Sequence, residues 1–298
     1  MSASGVIRSS IIGALKLFGV GGGDGLGRVE RAAKYVVFLS RNIRSERHHA
    51  QEVMHDPQWP PREENSNRVY DLGANIGLNF EYYFAKGLDI IAVEANPALY
   101  DELKQKFADA VQSGRLRLVN ACVSTSDTSE PVDFYVHRNS HVLSTMAQPP
   151  PEQSDDYERI KVATIRASDL FSQFGHPFYV KVDIEGLDGE VLGEIFKNYD
   201  REIAYISAEV HDIMTFSQLV SRGYQLCKVV EGKYVAADRY SIPTENGTRY
   251  RFPEHSAGPF GEDIPGEWIN QEKLFDYLCE HGTGWKDIHA KWQRAAAR

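Results

Sequence analysis

Cysteine is scarce in this 298-residue chain: Cys122, Cys227 and Cys279 are its three thiols. Odd in number and widely spaced, they exclude a disulfide framework or a zinc cluster and lead us to expect reduced thiols in a cytoplasmic protein. A long apolar run is also missing. The best stretch, Ile11 to Val20, is about half a membrane span and contains Lys16. A secretory signal would keep that core uncharged and follow it with a small-residue cleavage site, for which Gly21-Gly22-Gly23-Asp24 is poor. No transmembrane segment is expected. Basic excess is absent too: 33 Lys and Arg stand against 42 Asp and Glu, a net charge of −9. A chain so charged is not built to hold a nucleic-acid backbone.

What remains is ordinary globular composition, with 42% hydrophobic and 25% charged residues. The length is about twice a typical domain, which fits one large domain with elaborations. Charge is unevenly placed: residues 1–50 carry +5 and the remainder −14. In that basic stretch Ile7, Ile11, Ala14, Leu15 and Phe18 recur at helical spacing, as do Val29, Ala32, Ala33, Val36, Leu39 and Ile43. The pattern predicts a basic helical extension over residues 1–60. It would either pack on the main domain or meet an anionic membrane surface or a protein partner.

After a polar linker at Asp56 to Asn67, short strands alternate with helices. Val69–Leu72, Ile90–Val93, Leu116–Val119, Phe178–Val182 and Ile203–Ala208 read as buried strands. Val132–Val136 and Ile160–Ile165 alternate like edge or hairpin strands. Helices are expected at Gly77–Lys86, Pro97–Ala110, Gly189–Asn198 and Ile213–Arg222, with a closing hairpin at Tyr224–Val230 and Tyr234–Ala237. This grammar predicts an α/β, Rossmann-like doubly wound sheet over residues 61–238. A C-terminal capping tail, 239–298, would hold helices at Asn270–Glu280 and Trp285–Ala296.

The sharpest signal is Asp71-Leu72-Gly73-Ala74-Asn75-Ile76-Gly77, leaving the first strand. A β-carbon at Gly73 would stand in the way of a ligand, and the helix beyond Gly77 would offer free N–H groups. Glu94 ends the second strand, where an acid can accept hydrogen bonds from ribose hydroxyls. Loop and acid together point to a nucleoside-containing cofactor. A dinucleotide fingerprint needs glycine at positions 75 and 78, where this chain has Asn75 and Leu78. That spacing disfavours NAD and favours S-adenosylmethionine, whose methionine end carries no phosphate.

Asp71-x-Gly73-Ala74-Asn75-x-Gly77-x-Asn79, Val93-Glu94-Ala95-Asn96-Pro97, Asn120-Ala121-Cys122-Val123-Ser124 and Val180-Lys181-Val182-Asp183-Ile184-Glu185-Gly186-x-Asp188 resemble the successive motifs of the FkbM family of S-adenosylmethionine-dependent methyltransferases. The resemblance covers roughly residues 66–237. Ser256 to Asp263 followed by Trp268 is similar to a tail found in some members. The resemblance implies a methyl donor, S-adenosylmethionine, and most often an oxygen acceptor on a sugar, lipid or polyketide-like natural product. It also implies that Asp71, Gly73, Asn75 and Gly77 line the methionine end with Asn79 at the helix start. Glu94 would take the ribose with Asn96 beside it, and Val123 and Ser124 would flank the adenine. Asn96 stands where many members have aspartate, and Asp188 where many have glutamate.

An alcohol acceptor must lose a proton, so a base or a bound metal is expected to help. Asp183 and Glu185 end one central strand, and Glu209 and His211 end the next. The candidate bases are His211 and Asp183, with Glu209 orienting or charging the site. Asp183 would in addition bond the cofactor. A magnesium-type site of Asp, Glu and His side chains is a sharper variant. His137, Arg138, His141 and Ser144-Thr145-Met146 lie in an irregular stretch that either contacts the acceptor or is a solvated connection. The expected partner is thus a small-molecule, glycan or lipid acceptor. An NAD-dependent oxidoreductase or epimerase on the same fold, and a non-catalytic cofactor-binding scaffold, are the competing readings. The sequence leaves open the acceptor, the metal and the oligomeric state.

Overall fold

The computed structural model describes residues 67–127, 130–237, 240–243 and 249–293. The basic helical extension expected at 1–60, with most of the linker after it, lies outside the described residues.

Strands β1 (Arg68–Leu72), β2 (Asp89–Glu94), β3 (Leu116–Asn120), β4 (Cys122–Val123), β5 (Val132–His137), β6 (Tyr157–Val162), β7 (Thr164–Ile165), β8 (Tyr179–Val182), β9 (Tyr205–Glu209), β10 (Leu226–Glu231), β11 (Ile242–Pro243), β12 (Arg249–Tyr250) and β13 (Lys286–Lys291) follow one another along the chain. Between them run helices α1 (Phe80–Ala85), α2 (Pro97–Lys106), α3 (Ala108–Gln112), α4 (Ala167–Phe174), α5 (Asp188–Asn198), α6 (Ile213–Arg222) and α7 (Gln271–His281).

Seven strands make the central sheet in the order β10-β13-β9-β8-β1-β2-β3. All neighbours are parallel except β13, which runs antiparallel to both β9 and β10. The chain winds outward from β1 through β2 to β3, then returns to β8 on the other side of β1. The resulting switch point opens a crevice at the carboxyl ends of β1 and β8, where ligands of open α/β sheets sit. The expected doubly wound Rossmann-like architecture is therefore observed.

The central strands read as continuous apolar runs because helices cover both faces. Tyr70, Leu72, Val180, Val182, Ile206 and Ala208 are all buried in one cluster with Leu192, Ile195 and Leu219. Val69, Ile90, Ala92 and Leu116 belong to a second cluster with Phe80, Tyr83 and Phe260. Burial of each large side chain of this kind contributes about 1.5–3 kcal/mol. Helix starts follow local chemistry: the side chains of Asn96, Asp212 and Asn270 accept from Ala98 N, Met214 N and Lys273 N.

Three expectations change. Helix α1 starts at Phe80, three residues later than the spacing predicts, because Gly77 and Asn79 serve other contacts. The pair Tyr224–Val230 and Tyr234–Ala237 does not form a hairpin: a 3₁₀ turn at Gly232–Tyr234 leads the chain away, and β10 pairs with β13 instead. Residues 286–291, expected inside a helix at Trp285–Ala296, are that strand. Ile288, His289 and Ala290 are buried on both faces of the sheet, so the segment is set by its neighbours β9 and β10 rather than by its own periodicity. Part of the C-terminal segment thus belongs to the central sheet.

Candidate active site

The crevice is a cleft of about 610 Å³. Its floor is the turn after β1. Gly73 N and Ala74 N both donate to Val93 O, at 3.0 and 2.9 Å, tying the turn to the end of β2. Gly73 has φ +88°, and a β-carbon there would lie 1.8 Å from Asp183 O. Glycine is thus required first by the neighbouring strand end. Asn75 follows with φ 49°, a left-handed conformation that asparagine tolerates. Its N–H donates to Glu94 Oε2 at 2.8 Å, while Asn96 N donates to Glu94 Oε1 at 2.7 Å. Burial pushes the Glu94 carboxyl up to about 7.

Of the residues expected at the cofactor, Asp71, Gly73, Asn75, Asn79, Glu94, Val123 and Asp183 line the cleft. Gly77, Asn96 and Ser124 stand behind it. A β-carbon on Gly77 would meet Leu103, Phe80 and Phe107, so this glycine admits packing. Asn96 caps α2, and Ser124 Oγ accepts from Ser126 N at 3.0 Å. Asn79 precedes α1 without capping it. Its amide instead binds the distant tail: Nδ2 donates to Gly258 O at 2.8 Å, and Oδ1 accepts from Ala257 N at 3.1 Å.

Lys181, read only as part of a motif, is the buried cation of the site. Its Nζ lies 3.1 Å from Asp71 Oδ1, 3.1 Å from Asp183 Oδ2 and 3.3 Å from Gly73 O. The two carboxylates raise its pKa well above the ordinary value despite burial, and burial raises that of Asp71. Asp287, opposite Glu209 in the β9–β13 register, also lines the cleft. Burial and the neighbouring carboxylates Asp183 and Glu209 raise its pKa well above the usual range. Nothing near Lys-Asp-Ile-His-Ala in sequence announced it, because its role depends on that strand pairing.

The candidate acid–base groups do converge. Glu185 occupies a left-handed conformation, φ 58°, and its carbonyl accepts from Thr145 Oγ1 at 3.2 Å. Burial, with Asp183 and Glu209 beside it, lifts its carboxyl to about 8. His211 Nε2 stands 3.4 Å from Asp188 Oδ2 and 3.2 Å from Glu209 Oε2. Hydrogen bonding to Asp188 and then Glu209 raises the imidazole to about 11. In this arrangement it is an imidazolium at neutral pH, without the lone pair that a base requires, and it does not line the cleft. Asp183, Glu185 and Glu209 do.

Glu185, Glu209 and His211 each present one ligand atom within 4.8 Å of the others. Such oxygen and nitrogen donors could hold a divalent cation. The imidazolium already compensates Asp188 and Glu209, so a metal would have to displace its proton. The second wall of the cleft comes from His141 to Ser144 and Met146, and the rim from Glu254 to Ala257 and Trp285. The irregular stretch after β5 therefore borders the cleft, and of its flagged residues His141, Ser144 and Met146 reach it.

The methyltransferase FkbM domain family matches residues 71–249, and the chain belongs to this family. No curated protein matches it. Among solved structures, a precorrin-6y C5,15-methyltransferase from Geobacter metallireducens GS-15 is 12% identical, covering 76% of this chain and 79% of its own at a TM-score of 0.34. An O-methyltransferase from Bacillus cereus, in complex with SAH, is 8% identical over 85% and 91%, TM-score 0.33. The StiE O-MT is 11% identical over 98% and 81%, TM-score 0.36. No helix among the described residues is long and apolar enough to cross a membrane.

Proposed function

We propose that this methyltransferase uses S-adenosylmethionine to methylate a hydroxyl oxygen of a small-molecule, glycan or lipid acceptor. The observation that carries the reading is Asn75 Oδ1, a buried acceptor without a hydrogen-bond partner in a turn that lines the cleft. An unpaired buried acceptor costs about 1–3 kcal/mol, which a ligand donor relieves. An ammonium or hydroxyl group of the cofactor is such a donor, and Glu94 at the end of β2 offers its remaining lone pairs to ribose hydroxyls. A pyrophosphate would instead meet Asp71, Glu94 and Asp183. That charge pattern, with the glycine spacing, speaks against NAD.

When bound, the cofactor supplies a methyl group on sulfonium: its C–S bond breaks as a C–O bond forms, and sulfur keeps the electron pair. The chain's own part is to hold the acceptor in line and remove its proton. Positioning of this kind is worth up to roughly 7–11 kcal/mol. Asp183, at the carboxyl end of β8 and on the cleft surface, receives the hydroxyl proton. Lys181 fixes Asp183 against Asp71, and charged His211 holds Glu209 in place.

Calorimetric titration with S-adenosylhomocysteine and with NAD, each with EDTA or added magnesium, tests the reading. Binding of the homocysteine compound alone is expected; binding of NAD alone overturns it. Enhancement by magnesium would assign Glu185, Glu209 and His211 to a cation. Cofactor binding without turnover of any acceptor would favour the scaffold reading.

A further inference from the structure

The cleft combines two features that the transfer itself does not require: a fixed aromatic rim and an acidic wall. Trp285 is 47% exposed and Leu143 49%, and both border the cleft. The indole is firmly held. Trp285 O accepts from Gly232 N at 3.0 Å, and a β-carbon on Gly232 would lie 2.2 Å from the indole Nε1. Residue 232 thus makes room for this ring. His255 stacks on it at 5.4 Å between centroids and 19° between planes, from a left-handed backbone with φ 65°. A large apolar ring held in place yet left in water is the informative kind of exposure.

Inside the rim, seven carboxyl groups line the cleft: Asp71, Glu94, Asp183, Glu185, Glu209, Glu254 and Asp287. The one lysine there, Lys181, is already engaged by Asp71 and Asp183. No arginine lines the cleft among the described residues. An anionic acceptor would enter a field of its own sign. An amine fares poorly for another reason, because surrounding carboxylates stabilise the ammonium form, whose nitrogen has no lone pair for the methyl group. A neutral ring bearing several hydroxyls suits both features. Its C–H face lies on the aromatic rim, and its hydroxyls, which both donate and accept, pair with the carboxyl groups of the wall in either protonation state.

Resting on the methyl-transfer reading above, we propose that the acceptor is a neutral sugar ring seated on the Trp285–His255 platform, with its reactive hydroxyl directed to the carboxylates of β8 and β9. The geometry makes Trp285 a determinant of acceptor specificity.

Saturation-transfer NMR and tryptophan fluorescence on the full chain, with S-adenosylhomocysteine present, test this. The probes are methyl β-D-glucopyranoside and the corresponding methyl glucuronide. The neutral glycoside is expected to bind, with the glucuronide weaker by about tenfold or more. Trp285→Ala should cost about tenfold in glycoside affinity, and Trp285→Phe should retain most of it. Thermal melts of both variants separate loss of binding from loss of folding. Equal binding of the glucuronide, an unaffected Trp285→Ala, or no glycoside binding overturns the proposal. Failure of S-adenosylhomocysteine to bind in a separate titration overturns the cofactor reading instead, whatever the glycosides do.

Discussion

Asn79 and Gly258 stand 179 positions apart in the chain and are joined by a 2.8 Å hydrogen bond from Nδ2 to the carbonyl oxygen. The same amide accepts from Ala257 N, so one side chain next to the turn after β1 anchors the tail where Ala257 lines the cleft. Tyr82 and Lys86, one and two turns further on, both reach Asp263, and Phe260 stacks on Tyr179 at 4.1 Å. The tail is thereby part of the site's wall.

Asn79→Ala leaves Gly258 O and Ala257 N without these partners. A stability loss of ~1–3 kcal/mol is expected, read from the urea midpoint. Proteolysis between residues 249 and 263 should accelerate, while Asn79→Asp, which keeps the acceptor for Ala257 N, should lose less. An unchanged cleavage pattern in Asn79→Ala would show that the aromatic contacts alone hold the tail.

Gly73→Ala is expected to be severe, because the new carbon would fall 1.8 Å from Asp183 O in a left-handed backbone. Gly87→Ala provides the comparison: its φ is +72°, but nothing lies within 4 Å of the added carbon. The second variant should cost ~1–2 kcal/mol from conformation alone, and the first clearly more, with loss of cofactor affinity. Equal midpoints would refute the close-approach argument.

Lys181→Met removes the cation between Asp71 and Asp183. Breaking a buried pair in this way costs ~3–5 kcal/mol, since the partner charges stay behind. Lys181→Met combined with Asp71→Asn should recover part of that loss. A double-mutant cycle on thermal stability checks the coupling, and simple additivity would mean that the three groups do not act together.

Glu94 provides a pH signature. Burial raises its carboxyl to about 7, so the carboxylate form, which the proposed ribose contact requires, appears only as pH rises through that value. S-adenosylhomocysteine affinity should therefore fall below about pH 7 and level off above it. Glu94→Gln should bind more weakly and lose this dependence. For stability the sign is opposite: a folded-state pKa above the unfolded one favours folding at low pH, and this contribution fades as pH rises from about 4.5 to about 7. Calorimetry across pH 5–9 on both proteins measures the two effects.

Much of the cleft's floor is legible in order along the chain. Strand β1, the turn at Gly73, strand β2 and Glu94 follow within 27 residues, and short-range spacing is enough to recognise them. Other parts were legible only as residue types. Gly77 looks like a cofactor glycine but makes room for Leu103 and Phe107. His211 looks like a neutral base, yet Asp188 and Glu209 keep its proton in place. Glu209 is a neighbour in sequence, two residues away, but Asp188 comes from another helix start, and its distance to His211 is not written in any local pattern.

By itself the sequence determined the alternation of strands and helices, the glycine turn without the dinucleotide spacing, and the acid at the end of β2. These follow from hydrophobic period, glycine spacing and residue chemistry over short range. Tertiary structure alone decided that residues 286–291 enter the sheet between β9 and β10, bringing Asp287 beside Glu209 and Trp285 to the rim. A strand buried on both faces takes its conformation from its hydrogen-bonding neighbours, so its position and the acidic, aromatic cleft it completes depend on residues some 60 to 80 positions away.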